Sequence, residues 1–75
     1  MKEKIVEMLE QIKPNADFVN ATKLIDEKVL DSFDVVMLVG ELNTAFDVEV
    51  TMEYLLPENF NSVEAMVQLI EKLQN

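Results

Sequence analysis

Apolar residues recur along this chain with the spacing of helices. In residues 2–13 they stand three and four positions apart, so they share one side of a helix while glutamates occupy the other side. These apolar residues are Ile5, Met8, Leu9 and Ile12. Pro14 ends the pattern, because the residue before a proline disfavours helical geometry. The spacing predicts an amphipathic first helix over residues 2–13.

A second helix is predicted over residues 32–46, and both of its sides are apolar. The stripe expected to face the core consists of Val35, Leu38, Val39, Leu42 and Phe46. The opposite side carries Phe33, Met37, Gly40 and Thr44, with Val36 at its edge. Such a side indicates a docking surface, since an acidic protein would ordinarily place charges there. The alternative is a helix that is buried all round.

Two further elements follow. A short helix is predicted over residues 52–56, with Pro57 as its stop signal. The last helix is predicted over residues 62–73, where apolar residues again follow helical spacing. Asn61, three residues before Glu64, resembles a capping box at its start.

Residues 14–31 remain as a long loop that is unusual for so small a domain, and loops of this length tend to be functional. Phe18, Leu24, Ile25 and Leu30 are apolar enough to hold it against the core. The fold expected for residues 1–75 is a single all-α domain. It is a small bundle of three main helices plus one short third helix, with a long first loop.

Charge narrows the classes of partner. The chain has 75 residues with fifteen acidic against six basic side chains, a net charge of -9. Such a surface repels nucleic acids and anionic membranes and attracts basic partners. The chain has no cysteine, and acids interrupt the apolar residues of its first segment. We therefore expect a cytoplasmic monomer without a signal peptide, a membrane-inserted segment or nucleic acid binding.

The chemistry available to the chain is sparse. It has no histidine to activate a hydroxyl nucleophile, so no catalytic residue is predicted. Its paired acids lack the glycine and the alternating ligands of a calcium loop, so no metal site is predicted. Ser32, at the predicted start of the second helix, either caps that helix or carries a modification made by another enzyme. A phosphate ester suits this position, because the positive end of a helix favours an anion.

The stretch Leu30-Asp31-Ser32-Phe33-Asp34, followed by Asp47-Val48-Glu49-Val50 after the second helix, resembles the acyl carrier protein family. The resemblance covers nearly the whole chain, including the order of the helices. It implies that Ser32 bears 4'-phosphopantetheine, attached from coenzyme A by a separate transferase with Mg²⁺. Asp31 then presents the serine and its metal to that phosphopantetheinyl transferase.

The resemblance also implies partners that load and unload the carrier. These are an adenylating or other acyl-activating enzyme and an acyltransferase or synthase. The partner-binding face that it implies on the second helix consists of Phe33, Val36, Met37, Gly40 and Glu41. Cargo travels as a thioester, which raises the local concentration of the intermediate.

Departures from the family pattern bear on the cargo. The second helix is poor in acids compared with fatty acid synthase carriers, and residues 24–32 look more like D-alanyl carriers and stand-alone aminoacyl or peptidyl carriers. Lys28 stands where those relatives often have glycine. Three hypotheses stay open: an acyl or aminoacyl carrier, with a D-alanyl or peptidyl carrier as its specific form; a non-covalent adaptor of the same fold with Ser32 only as a cap; and a small enzyme subunit.

Overall fold

Four α-helices build the protein, as seen in a computed structural model that describes residues 1–14 and 16–74. They are α1 (Lys2–Ile12), α2 (Ser32–Phe46), α3 (Pro57–Phe60) and α4 (Val63–Gln74), with a 3-10 turn at Met52–Tyr54 between α2 and α3. The described residues contain no strand, so the all-α prediction is confirmed. Asn15 of the predicted loop lies outside the described residues.

The core forms where α1 packs against both α2 and α4, and where α3 packs against α4. Its side chains are apolar and come from every helix and from the long loop. Those with the least exposure include Ile5, Leu9, Phe18, Leu24, Leu30, Leu38, Leu42, Phe60, Val63, Met66 and Ile70. Each such burial stabilises the fold by about 1.5 to 3 kcal/mol relative to an exposed side chain.

The two sides of α2 differ as the docking interpretation requires. Leu38 and Leu42 are fully buried, whereas Phe33 is 72% exposed and Val36 is 63% exposed. The alternative of a helix buried all round is therefore wrong. Phe33 and Val36 on its outer side lie in solvent, whereas Leu38 and Leu42 belong to the buried core.

The region around Pro57 differs from the predicted short helix over residues 52–56. A 3-10 turn occupies Met52–Tyr54, and Pro57 begins α3 instead of stopping a helix. The physical reason is that proline suits the first helical position, where its missing N–H has no helical partner to lose and its fixed φ is already helical. A proline signals a helix start as readily as a stop.

The predicted capping box between Asn61 and Glu64 is also wrong. The Ser62 Oγ caps α4 by accepting a hydrogen bond from the Ala65 N–H at 3.0 Å. The Asn61 side chain points away, toward residues 25 and 26 of the long loop. Local spacing suggested a cap, but a tertiary contact competes successfully for the same side chain.

The long loop is held to the core as expected. Phe18, Leu24 and Leu30 are buried and Ile25 is half-buried against them. After α2, Asp47 has a left-handed backbone with φ 53°, and the Asn43 Oδ1 accepts a hydrogen bond from the Val50 N–H at 2.9 Å. None of the helices in residues 1–14 and 16–74 combines the length and the apolar content needed to cross a membrane.

Candidate functional site

The start of α2 is fixed by two aspartates on either side of Ser32. Asp31 is the N-cap, and its Oδ1 accepts a hydrogen bond from the Asp34 N–H at 2.9 Å. In return the Asp34 Oδ2 accepts one from the Asp31 N–H at 3.2 Å. Two donors of the first turn are thus satisfied reciprocally. Because Asp31 fills the cap position, the hypothesis that Ser32 serves as the cap is wrong.

Asp34 also joins this helix end to α1. It is the one buried charged residue among the described residues, and its Oδ2 lies 3.6 Å from the Lys13 Nζ at the end of α1. The lysine offsets part of the cost of burying a carboxylate. The position of Ser32 therefore depends on α1 as well as on its own helix.

Asp31 itself is exposed, and the pKa of its carboxyl is lower than that of an ordinary aspartate. The hydrogen bond from the Asp34 N–H lowers the pKa of the Asp31 carboxyl below its ordinary value of 3.8. The Asp34 side chain and the charge of Lys13 contribute in the same direction, and burial opposes them. At neutral pH a carboxylate thus stands directly beside Ser32.

Ser32 is exposed at the first position of α2. Within the described residues its hydroxyl has no hydrogen-bond partner and therefore no base to activate it. The same residues hold no cluster of three or more side chains able to bind a metal. The serine is accessible from solvent, and the described residues supply neither a base nor a metal site for a reaction at its hydroxyl.

An open groove of about 500 Å³ begins at Ser32. Its walls are mostly apolar and come from the end of the long loop, the start of α2 and the segment that leads into α3. They consist of Ile25, Lys28, Leu30, Asp31, Ser32, Val35, Val36, Leu55, Leu56, Pro57 and Phe60. Leu55 and Leu56 are partly exposed, and neither was among the predicted site residues, although an apolar pair before a proline is visible in the sequence.

One wall of this groove is a helical turn at residues 24–28. Asn61, which lies far from this turn in the sequence but contacts it in the fold, caps it. The Asn61 Oδ1 accepts hydrogen bonds from the Ile25 N–H at 2.9 Å and the Asp26 N–H at 3.1 Å. The main-chain carbonyl oxygen of Asn61 accepts another from the Leu24 N–H at 2.8 Å. The Asn61 Nδ2 donates to the Asp26 Oδ2 at 3.2 Å. One residue thus satisfies the three free donors that begin the turn.

The turn ends at Lys28, whose backbone is left-handed with φ 61°. The Glu27 N–H donates a hydrogen bond to the Lys23 carbonyl at 2.8 Å, and the Leu30 N–H donates one to the Leu24 carbonyl at 3.1 Å. A glycine adopts this conformation without the steric cost that a lysine bears. The chain then runs directly into Asp31 and Ser32.

The predicted partner face is divided between two surfaces. Phe33 is exposed next to Ser32, and Val36 lines the groove of the serine. Met37, Gly40 and Glu41 line a second, shallower groove of about 780 Å³ between α1 and α2. A Cβ at Gly40 would meet nothing within 4 Å, so this glycine leaves open space on the helix.

Comparison with known proteins agrees with the resemblance seen in the sequence. The chain is 29% identical over 76 residues to a D-alanyl carrier protein of Streptococcus uberis, with all of this chain and 96% of that protein covered. No protein-family model matches the chain. The full-length similarity confirms the resemblance to the acyl carrier protein family and supports a carrier role.

Proposed function

We propose that this chain, as a protein similar to acyl carriers over its whole length, carries its cargo on 4'-phosphopantetheine attached to Ser32. The observation that carries the proposal is the exposed Ser32 at the first position of α2, held beside the ionised Asp31 at the mouth of an apolar groove. Ser32 does not cap its helix, which leaves its hydroxyl free for modification.

Attachment uses Ser32 as the nucleophile. The Ser32 Oγ attacks the phosphorus of coenzyme A that bears the pantetheine arm, and the oxygen bridging the two phosphates leaves with the nucleotide. The base that takes the serine proton and the Mg²⁺ belong to the phosphopantetheinyl transferase, since no group of the described chain bonds this hydroxyl. Asp31 presents a carboxylate to that metal in a fixed orientation, because its Oδ1 is held by the Asp34 N–H.

The residues around Ser32 fit such a group. The phosphodiester lies at the positive end of α2, where an anion is favoured. The apolar walls formed by Val35, Leu55 and Leu56 give the arm a surface beside its attachment point. When bound, the group supplies the thiol on which cargo is carried as a thioester, so the absence of cysteine in this chain is no obstacle.

Among cargoes we favour an aminoacyl group, and D-alanine first. The similar protein of Streptococcus uberis is named a D-alanyl carrier protein. The outward side of α2 is apolar at Phe33, Val36 and Met37 rather than acidic, which suits partners that recognise carriers by apolar contacts. A specialised fatty acyl carrier is the second candidate, favoured by the apolar groove at Ser32.

The test begins with attachment. Incubation with coenzyme A and a broad-specificity phosphopantetheinyl transferase should add one prosthetic group, measured by intact mass, and Ser32→Ala should add none. The chain has one other serine, Ser62, which caps α4. The matched control is Ser62→Asp, which keeps a capping oxygen and should be modified like the wild type.

A wild-type chain that stays unmodified while a control carrier is loaded would favour a non-covalent adaptor of the same fold, in which Ser32 neither carries a group nor caps the helix. Cargo is then assigned with the modified protein, ATP and activating enzymes for D-alanine or for fatty acids. A stable D-alanyl thioester supports the first candidate. Exclusive loading with a fatty acid overturns it.

A further inference from the structure

Lys28 combines two unusual features that the attachment chemistry does not explain. It is a non-glycine residue in the left-handed region, with φ 61°, where an L-residue is disfavoured. Strained backbone of this kind often accompanies a functional role, because the fold maintains it against its steric cost. The turn itself holds Lys28 in this conformation, because the Lys28 N–H donates to the Ile25 carbonyl at 3.0 Å and the Leu30 N–H donates to the Leu24 carbonyl at 3.1 Å.

The second feature is the charge of Lys28 in its surroundings. The chain has a net charge of -9 with only six basic residues. Lys28 and Asp31 are the two ionisable residues that line the groove beginning at Ser32. Lys28 is exposed, and within residues 1–14 and 16–74 it has no carboxylate at ion-pair distance. A cation therefore lines a mostly apolar groove, with no anion of the described chain paired to it.

We propose that Lys28 binds the phosphodiester that modification places on Ser32, and that the left-handed turn holds its ammonium on the groove side. This inference rests on the proposed function, because Ser32 must carry the group. It assigns Lys28 a positioning role: pairing of its charge with the phosphodiester orients the first part of the arm along the groove, away from the carboxylate of Asp31. Lys28 does not take part in forming or breaking a bond.

Lys23 provides a matched control. It lies at the start of the same turn, is exposed and carries the same charge, but it does not line the groove. Lys23→Gln and Lys28→Gln therefore remove equal charge from one turn. Lys28→Arg keeps the charge and should restore whatever Lys28→Gln loses.

The experiment is a thermodynamic cycle, analogous to a double-mutant cycle, that combines attachment of the phosphopantetheine arm with substitution of the lysine. Wild type and the three variants are prepared without the arm and with it, and the unfolding equilibrium constant of each is measured in urea at low salt. Attachment should lower this constant about two- to fivefold more in the wild type than in Lys28→Gln, the range expected for an exposed ion pair. Lys23→Gln and Lys28→Arg should resemble the wild type, and the difference should shrink at raised salt.

Phosphorus NMR supplies a second readout. The resonance of the phosphodiester should shift between wild type and Lys28→Gln, and stay in place in Lys23→Gln. The inference is overturned if attachment changes the unfolding equilibrium constant equally in wild type and Lys28→Gln and the phosphorus resonance is the same in both. It is also overturned if Lys23→Gln reduces the effect of attachment as much as Lys28→Gln does. Intact mass separates the two proposals: full modification without a Lys28 effect overturns this inference alone, whereas no mass gain on Ser32 overturns the proposed function and this inference with it.

Discussion

In the core, where α1 packs against α2 and α4, the clustered side chains are apolar, whereas the surroundings of Ser32 are held mainly by backbone N–H groups that donate hydrogen bonds to the side chains of Asn61, Asp31 and Asp34. The core depends on shape and burial, so its residues tolerate little change. The site depends on a few polar contacts at the surface and leaves Phe33, Val36 and Leu56 exposed. The difference teaches that a change at an exposed residue such as Val36 can alter the site without opening a cavity in the core.

The largest effect is expected in the core. Leu42→Ala should lower the free energy of unfolding by about 2 to 5 kcal/mol, because it opens a cavity at a fully buried position. Val36→Ala, on the exposed side of the same helix, should change it by no more than about 0.5 kcal/mol. Urea denaturation measures both values. Equal losses in the two variants would break the distinction between the sides of α2.

The next effect concerns partner docking and leaves the fold intact. Met37→Glu should raise the KM for loading by the activating enzyme about tenfold, since a tenfold change corresponds to about 1.4 kcal/mol and a buried apolar contact is worth at least that. Glu41→Lys, which alters the same groove between α1 and α2, should have a smaller effect. Circular dichroism checks that both variants remain folded.

Salt sharpens this test of docking. Apolar recognition changes little at raised salt, whereas recognition through exposed charges is screened. If Glu41→Lys proves the more damaging variant and salt abolishes loading of the wild type, the protein docks through its acids. Val36→Glu then shows whether the partner contacts the groove of Ser32 instead.

A smaller effect is expected where Asn61 caps the turn at residues 24–28. Asn61→Ala should lower the free energy of unfolding by about 1 kcal/mol, the usual value for a lost hydrogen bond when water reaches the freed groups. Amide hydrogen exchange should accelerate at Ile25 and Asp26. Leu24 should change least, because its partner is the main-chain carbonyl of residue 61, which the variant keeps.

The control for that prediction is Asn20→Ala. The Asn20 side chain makes an exposed hydrogen bond to Asp17 within the same loop. Its loss should leave both stability and exchange at residues 24–26 unchanged. Rapid exchange at Ile25 and Asp26 in the wild type would show that the cap does not persist in solution.

The smallest expected effect is an increase in the free energy of unfolding. Lys28→Gly should raise the free energy of unfolding by about 0.5 kcal/mol, because the left-handed strain of the lysine exceeds the entropy cost of glycine. Asp47→Gly, at φ 53°, should gain less, since aspartate tolerates this region better than lysine. Thermal or urea unfolding of the two variants gives the comparison. A loss in Lys28→Gly would show that the lysine side chain stabilises the turn.

Residues whose surroundings are local were predictable from the sequence. Helical spacing indicated Leu38 and Leu42 as core, and both are buried. The sequence also indicated Ser32 at a helix start, although Asp31 is the cap. Asn61 and Pro57 were misread because each has two local interpretations, and tertiary contacts or the position within a helix decide between them. The groove at Ser32 joins residues far apart in the chain, so no local pattern reveals it.

The cap that Asn61 provides also orders events during protein synthesis. The turn at residues 24–28 and its partner are separated by 36 positions at Ile25, so the turn cannot be completed until the ribosome has added and released Asn61. Ser32 leaves the ribosome well before that moment, on a chain whose adjoining turn still lacks its cap. An enzyme that needed the finished surroundings of Ser32 would have to act after Asn61 has left the ribosome and the turn has formed.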